Sequence, residues 1–169
     1  PLFSLYGNNK KPNNDMLENL DILVFDIQDI GIRSYTYIST MGLAMEAAQE
    51  SGLEFMVLDR PNPLGLNKIE GNILSLSFKS FIGRYPIPYV HGLTSGELAK
   101  MINEQGWLDG GKCNLKIIKM KNYNRNINYN DLGLRWVPYI HEVLIEIKAN
   151  LHFVYFHLLD FESWFYFLV

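Results

Sequence analysis

The chain alternates short apolar runs with longer amphipathic stretches. Residues 20–28 (LDILVFDIQ) form an apolar run closed by polar residues, a pattern typical of a strand buried on both faces of a parallel sheet. Residues 55–58 (FMVL) form a second such run. Between them, apolar residues spaced three and four apart predict a helix over residues 34–51, and Gly52 fits its end. The pattern therefore predicts a β-α-β unit.

Two more elements follow this unit. Thr94 and Glu97 have the spacing of a capping box, which predicts a helix that continues to about Trp107. Alternating apolar residues predict a strand over 113–120, and residues 1–6 are a candidate for another. We therefore predict an α/β fold, a mostly parallel sheet with flanking helices in a doubly wound arrangement.

The last 31 residues have a different pattern. Residues 139–169 contain no glycine or proline, are rich in aromatic residues and have apolar residues at helical spacing, which predicts a long helix. Two histidines, Asp160 and Glu162 interrupt its apolar stretch. Because charges are costly in hydrocarbon, we do not expect a membrane span.

Composition narrows the function. The net charge is −3 and the basic residues are scattered, which argues against nucleic-acid binding. Cys113 is the only cysteine, so no internal disulfide can form, and we expect a buried strand thiol. The four histidines lack metal-site spacing, and no glycine-rich phosphate loop is present. We therefore expect no metal and no nucleotide cofactor.

The candidate chemistry lies where the first two predicted strands end. Because neighbouring parallel strands bring their carboxyl ends together, these polar residues are expected around one opening. Carboxylates, amides, guanidinium groups and tyrosines suit a sugar. Alternatively, Asp26 and Asp59 could pair with Arg33 and Arg60 and cap helices. The residues are Asp26, Gln28, Asp29, Arg33, Tyr35 and Tyr37 at the first end, and Asp59, Arg60 and Asn62 at the second.

Two loop residues are further candidates, each with two interpretations. Glu70, beside Gly71, could act as an acid or base over the opening, or could be a solvated loop carboxylate. His91 precedes the predicted helix start and could carry a proton or orient a ligand, or could simply bond to backbone.

The chain carries a set of ordered strings that include LVFDIQDIG with YTYISTM, LDRPNP, EG, YPIP, HGLT with GELA, and WVP. Over residues 1 to about 138 this set resembles the NamZ/YbbC-type exo-β-N-acetylmuramidases. The resemblance implies a glycoside hydrolase that removes terminal N-acetylmuramic acid from peptidoglycan fragments. It also implies a Rossmann-like domain joined to a smaller domain, with the site in the cleft between them. The polar residues named above would line this cleft, with Glu70, His91 and Asp26 as catalytic candidates. Arg33 or Arg60 would suit the lactyl carboxylate of the sugar.

The chain also departs from the family. Nothing matches an opening Gly-Pro-Glu-His-Gly-like string, which in the family would supply a catalytic carboxylate, and residues 139–169 resemble no family sequence. We therefore expect a partial catalytic domain over residues 1–138, a non-native tail over 139–169, and no activity of the chain alone. The alternatives are a non-catalytic module that binds muramyl sugars or peptidoglycan, and a product that does not fold stably. The start at Pro1 shows no leader, and the resemblance favours a periplasmic or secreted protein.

Overall fold

The computed structural model describes residues 3–5, 7 and 9–134. Its elements in chain order are α1 (Asn14–Leu17), β1 (Ile22–Phe25), α2 (Tyr37–Glu50), β2 (Glu54–Leu58), a 3-10 turn (Leu76–Phe78), α3 (Ser95–Glu104), β3 (Asn114–Ile118) and a second 3-10 turn (Tyr129–Leu132). The strands pair in the order β1-β2-β3, and both pairings are parallel. This confirms the predicted α/β fold. The predicted tail helix and part of the candidate strand at 1–6 lie outside the described residues.

The main core lies between the sheet and the helices α2 and α3. Strand side chains that share one face in the parallel register, such as Phe25 and Val57, belong to the same buried cluster as Met41 and Met45 of α2 and Leu98 of α3. Because side chains alternate along a strand, every second residue points to this face, and these residues are apolar. The packing fixes the strand ends relative to both helices.

The opposite face of the sheet is open in the part of the chain that the structure describes. Ile22 and Val24 of β1 are 39% and 37% exposed, and Ile118 of β3 is 44% exposed. On the same face, Lys116 of β3 lies 3.8 Å from a carboxylate oxygen of Glu54. The prediction that β1 is buried on both faces is therefore wrong within these residues, because both long helices pack on one side.

The element boundaries have identifiable causes. Helix α2 begins three residues later than predicted, because the backbone NH of Arg33 bonds to Tyr89 O and that of Tyr35 bonds to Ile32 O in a turn. Gly52 follows α2 with φ 70°, as expected of a residue that ends a helix. At α3 the predicted capping box of Thr94 and Glu97 is confirmed, with both reciprocal bonds present. No described helix is long and apolar enough to cross a membrane.

Candidate functional site

A pocket of about 400 Å³ opens at the carboxyl ends of the three strands, and we call it the strand-end pocket. Asp26 follows β1, Asp59 follows β2, and Lys121 follows β3, so the parallel pairing brings all three segments to one edge. Among the residues that the structure describes, the pocket is lined by Asp26, Asp59, Arg60, Pro61, Met120, Lys121, Tyr123, Leu132 and Leu134. The pocket therefore combines charged, phenolic and apolar groups.

Asp26 and Arg60 form an ion pair at this pocket. The Nε and Nη2 atoms of Arg60 lie 2.7 Å and 2.6 Å from Oδ1 of Asp26. Both side chains are partly exposed, so the pair contributes about 0–1 kcal/mol to stability. A ligand could therefore replace this contact at little cost. The two polar strand ends do meet, as the sequence predicted.

Asp59 both lines the pocket and holds the start of α3. Its Oδ2 accepts a bond from the Thr94 hydroxyl at 2.9 Å, and its Oδ1 accepts one from the Gly96 backbone NH at 2.8 Å. Burial raises the pKa of Asp59, and these hydrogen bonds act against that rise. Asp59 thus has the helix-capping role that was the alternative to a binding role.

The amides of Gln28 and Asn62 connect loops. Gln28 Nε2 donates to Pro61 O at 2.8 Å and to Asp29 O at 2.7 Å. Asn62 is buried, donates to Leu93 O at 3.0 Å and accepts from the Leu64 backbone NH at 2.9 Å. These bonds fix the loop that follows β1 against the loop that follows β2. Neither amide lines the strand-end pocket.

Asp29 and His91 form a buried pair. The Nε2 atom of His91 lies 3.3 Å from Oδ2 of Asp29, which also accepts a bond from the Gly31 backbone NH at 2.8 Å. His91 Nδ1 accepts from the Leu93 backbone NH at 3.3 Å, whereas its buried Nε2 makes no hydrogen bond among the described residues. The contacts of His91 described here are thus with backbone and with Asp29.

Arg33 and Tyr35 lie in the segment between β1 and α2, and Tyr37 is the first residue of α2. Nη1 of Arg33 donates to Ile87 O at 2.6 Å and to Asn72 O at 2.7 Å, so this nitrogen is already used. The rings of Tyr35 and Tyr37 meet edge to face, with centroids 4.6 Å apart. None of these three residues lines the strand-end pocket.

Glu70 lies on an exposed loop. Its backbone pairs with Val90 in both directions, at 3.1 Å and 2.9 Å, and its carboxylate is 3.7 Å from Lys68 Nζ. The carboxylate is 60% exposed and does not line the strand-end pocket. Its structural surroundings match the solvated-carboxylate interpretation, while its catalytic role stays a prediction.

The sequence analysis did not identify the side of the pocket that is formed by residues after β3. Met120, Lys121 and Tyr123 lie in the segment after β3, where Asn122 takes a left-handed conformation with φ 58°. Leu132 and Leu134 also line this side of the pocket. The rule that ligands bind at the ends of parallel strands could have found these residues, because a strand over 113–120 was predicted.

Comparisons with known proteins identify the fold and the family of the chain. A family described as exo-β-N-acetylmuramidase NamZ, N-terminal, matches residues 1–142. The chain is 54% identical over 137 residues to the peptidoglycan β-N-acetylmuramidase NamZ of Bacillus subtilis (strain 168), a match that covers 81% of this chain and 32% of that protein. The chain belongs to the NamZ N-terminal family.

Two crystal structures of DUF1343 family proteins from Bacteroides fragilis NCTC 9343 show similar folds. One has a TM-score of 0.77 at 54% identity, and the match covers 80% of this chain and 35% of that one. The other has a TM-score of 0.67 at 43% identity, with 70% and 33% covered. The chain thus spans about a third of the length of the relatives it matches. The predicted domain boundary at residue 138 stays a prediction.

Proposed function

We propose that this chain forms the sugar-binding part of a glycosidase that releases terminal N-acetylmuramic acid from peptidoglycan fragments. The observation that carries the proposal is a polar pocket at the strand ends of a chain 54% identical to a peptidoglycan β-N-acetylmuramidase. Its volume of about 400 Å³ lies in the usual range for small-molecule sites, about 300–1,000 Å³.

The chemistry of the pocket suits a sugar ring. Carboxylate oxygens of Asp26 and Asp59 can accept bonds from hydroxyl groups, and Arg60 can donate. The apolar side chains of Met120 and Leu132 offer a surface for the CH face of the ring. Both kinds of contact are needed, since a sugar has polar edges and apolar faces.

Asp26 is the predicted catalytic residue that this geometry supports best. It is the one member of the three catalytic candidates that lines the strand-end pocket, and its carboxylate is partly exposed. Glycosidases usually place two carboxyl groups around the bond that is cleaved. Glu70 remains a candidate for the second group. We assign His91 to positioning, because it is buried against Asp29.

A chimaera tests the proposed activity. The 137 aligned residues of this chain would replace their counterpart in the Bacillus subtilis relative. We expect the chimaera to release the chromophore from a para-nitrophenyl N-acetylmuramic acid derivative, because the pocket offers hydrogen-bonding and apolar groups that suit the sugar. The 169-residue chain alone should bind N-acetylmuramic acid without releasing the chromophore. A folded chimaera that binds the sugar without turnover would favour a non-catalytic binding module instead.

The role of Asp26 is tested in the same chimaera. Asp26→Asn removes the carboxylate and should lower kcat/KM by about 10²–10⁴-fold, the range for losing an acid or base. Asp21→Asn is the matched control, because Asp21 is exposed and precedes the amino end of the same strand. Equal activity of the two variants would refute a catalytic role for Asp26.

A further inference from the structure

The cationic side chains near the strand-end pocket differ in whether they already form ion pairs or hydrogen bonds with other residues. Arg60 is paired with Asp26. Arg33 does not line the pocket and donates to two backbone carbonyls. Arg125 bonds to Glu97 and to two carbonyl oxygens. Lys121 lines the pocket and has no ion pair with any residue in the described ranges 3–5, 7 and 9–134.

The backbone around Lys121 fixes its place in the pocket. β3 ends at Ile118, and the chain then turns through Asn122, whose left-handed conformation is one that asparagine tolerates better than most residues. Lys121 and Tyr123, on either side of this residue, both line the pocket. The turn thus brings Lys121 and the ring of Tyr123 to the same pocket.

Tyr123 complements the lysine. Burial is the main cause that raises the pKa of Tyr123, and the nearby carboxylates of Glu97 and Asp59 add to the rise. The phenol therefore stays protonated at neutral pH, and its hydroxyl is buried, so Tyr123 lines the pocket with its ring. The charged donor that the turn offers to a carboxylate is the Lys121 ammonium group.

We propose that Lys121 binds the lactyl carboxylate of N-acetylmuramic acid and so selects this sugar over N-acetylglucosamine. The inference rests on the proposed function, because it takes the strand-end pocket as the sugar site. N-acetylglucosamine lacks the lactyl group, so an unpaired cation favours only the acidic sugar. The assignment replaces the expectation that Arg33 or Arg60 has this role. Arg33 does not line the pocket, and Arg60 would first have to leave its ion pair with Asp26, whereas Lys121 has no ion pair among the described residues.

Titration of the 169-residue chain with each of the two sugars tests the inference. Lys121→Met keeps the aliphatic stem and removes the charge, so the affinity for N-acetylmuramic acid should fall about tenfold or more, as for loss of a charged hydrogen bond. The affinity for N-acetylglucosamine should not change. Lys121→Arg should retain most of the preference, and added salt should weaken it in the wild type.

Lys119→Met is the matched control, because Lys119 is exposed, lies two residues earlier and does not line the pocket. If Lys121→Met leaves the preference unchanged, or if the wild type does not prefer the acidic sugar, the inference is wrong. The chimaera separates this outcome from the larger proposal. If the chimaera hydrolyses the substrate but Lys121→Met has no effect, the muramidase proposal is still supported and the Lys121 inference is wrong. If Lys121 determines the sugar preference but the chimaera does not hydrolyse the substrate, only the binding site is supported.

Discussion

Cys113 is a buried thiol one residue before β3, and its backbone is bonded to the Asn103 side chain. Burial raises the pKa of this thiol from 9.0 to about 11. Only the thiolate reacts with disulfide reagents, so at pH 8 the native chain should react roughly 100-fold more slowly than the urea-unfolded chain. Reaction with Ellman's reagent, followed by absorbance, measures both rates. Equal rates would contradict the buried environment.

At the same scale, the residue types of the site were predictable but their partners were not. Asp26 and Arg60 line the pocket as expected, whereas Asn62 and His91 are buried and bonded to neighbouring loops. A buried polar group must find a hydrogen-bond partner, and the nearest partner depends on the path of distant loops. Sequence spacing does not reveal that path, so the sequence could suggest roles for these residues but could not identify their partners.

Helix α2 depends on close contact between Gly42 and the Tyr85 hydroxyl. A Cβ atom at position 42 would overlap that hydroxyl. Alanine gains about 1 kcal/mol of helix propensity, but overpacking of this kind costs about 1–3 kcal/mol or more. Because the overlap with the hydroxyl is severe, the cost should lie at the upper end of this range. We therefore expect Gly42→Ala to lower the free energy of unfolding by about 2 kcal/mol or more in urea titrations.

Removing the hydroxyl provides the control for this element. Tyr85→Phe in the Gly42→Ala background should restore part of the lost stability, although the ring carbon that carried the hydroxyl still lies 2.7 Å from the new Cβ. A double-mutant cycle measures this coupling. Additive effects would show that the two residues do not meet as described.

The elements themselves were largely predictable, because each rests on a local signal. The capping box at Thr94 fixed the start of α3, and apolar runs located β1 and β2. The start of α2 was misplaced by three residues because the turn at Tyr35 depends on local backbone bonds, and the backbone of Arg33 bonds to the distant Tyr89. Local patterns carry no information about such a distant partner.

At the scale of the molecule, the open face of the sheet was the feature that the sequence did not reveal. A continuous apolar run such as 20–28 indicates two apolar faces, but it does not say what covers each of them. In the described residues α2 and α3 both cover the face that carries Phe25 and Val57. The strand-end pocket depends only on the parallel order of the strands, and this order was predicted.

Asp59 both lines the pocket and bonds to the start of α3, so ligand binding in the pocket should be measurable at α3. One carboxylate contacts both the ligand space and the Gly96 amide at the first turn of α3. A sugar that draws Asp59 towards itself would loosen this amide, and one that packs over Asp59 would shield it. We therefore expect N-acetylmuramic acid to change the deuterium-exchange rate of Gly96, while the interior of α3, for example Ile102, exchanges as before. Exchange followed by NMR would then report occupancy without any label on the ligand.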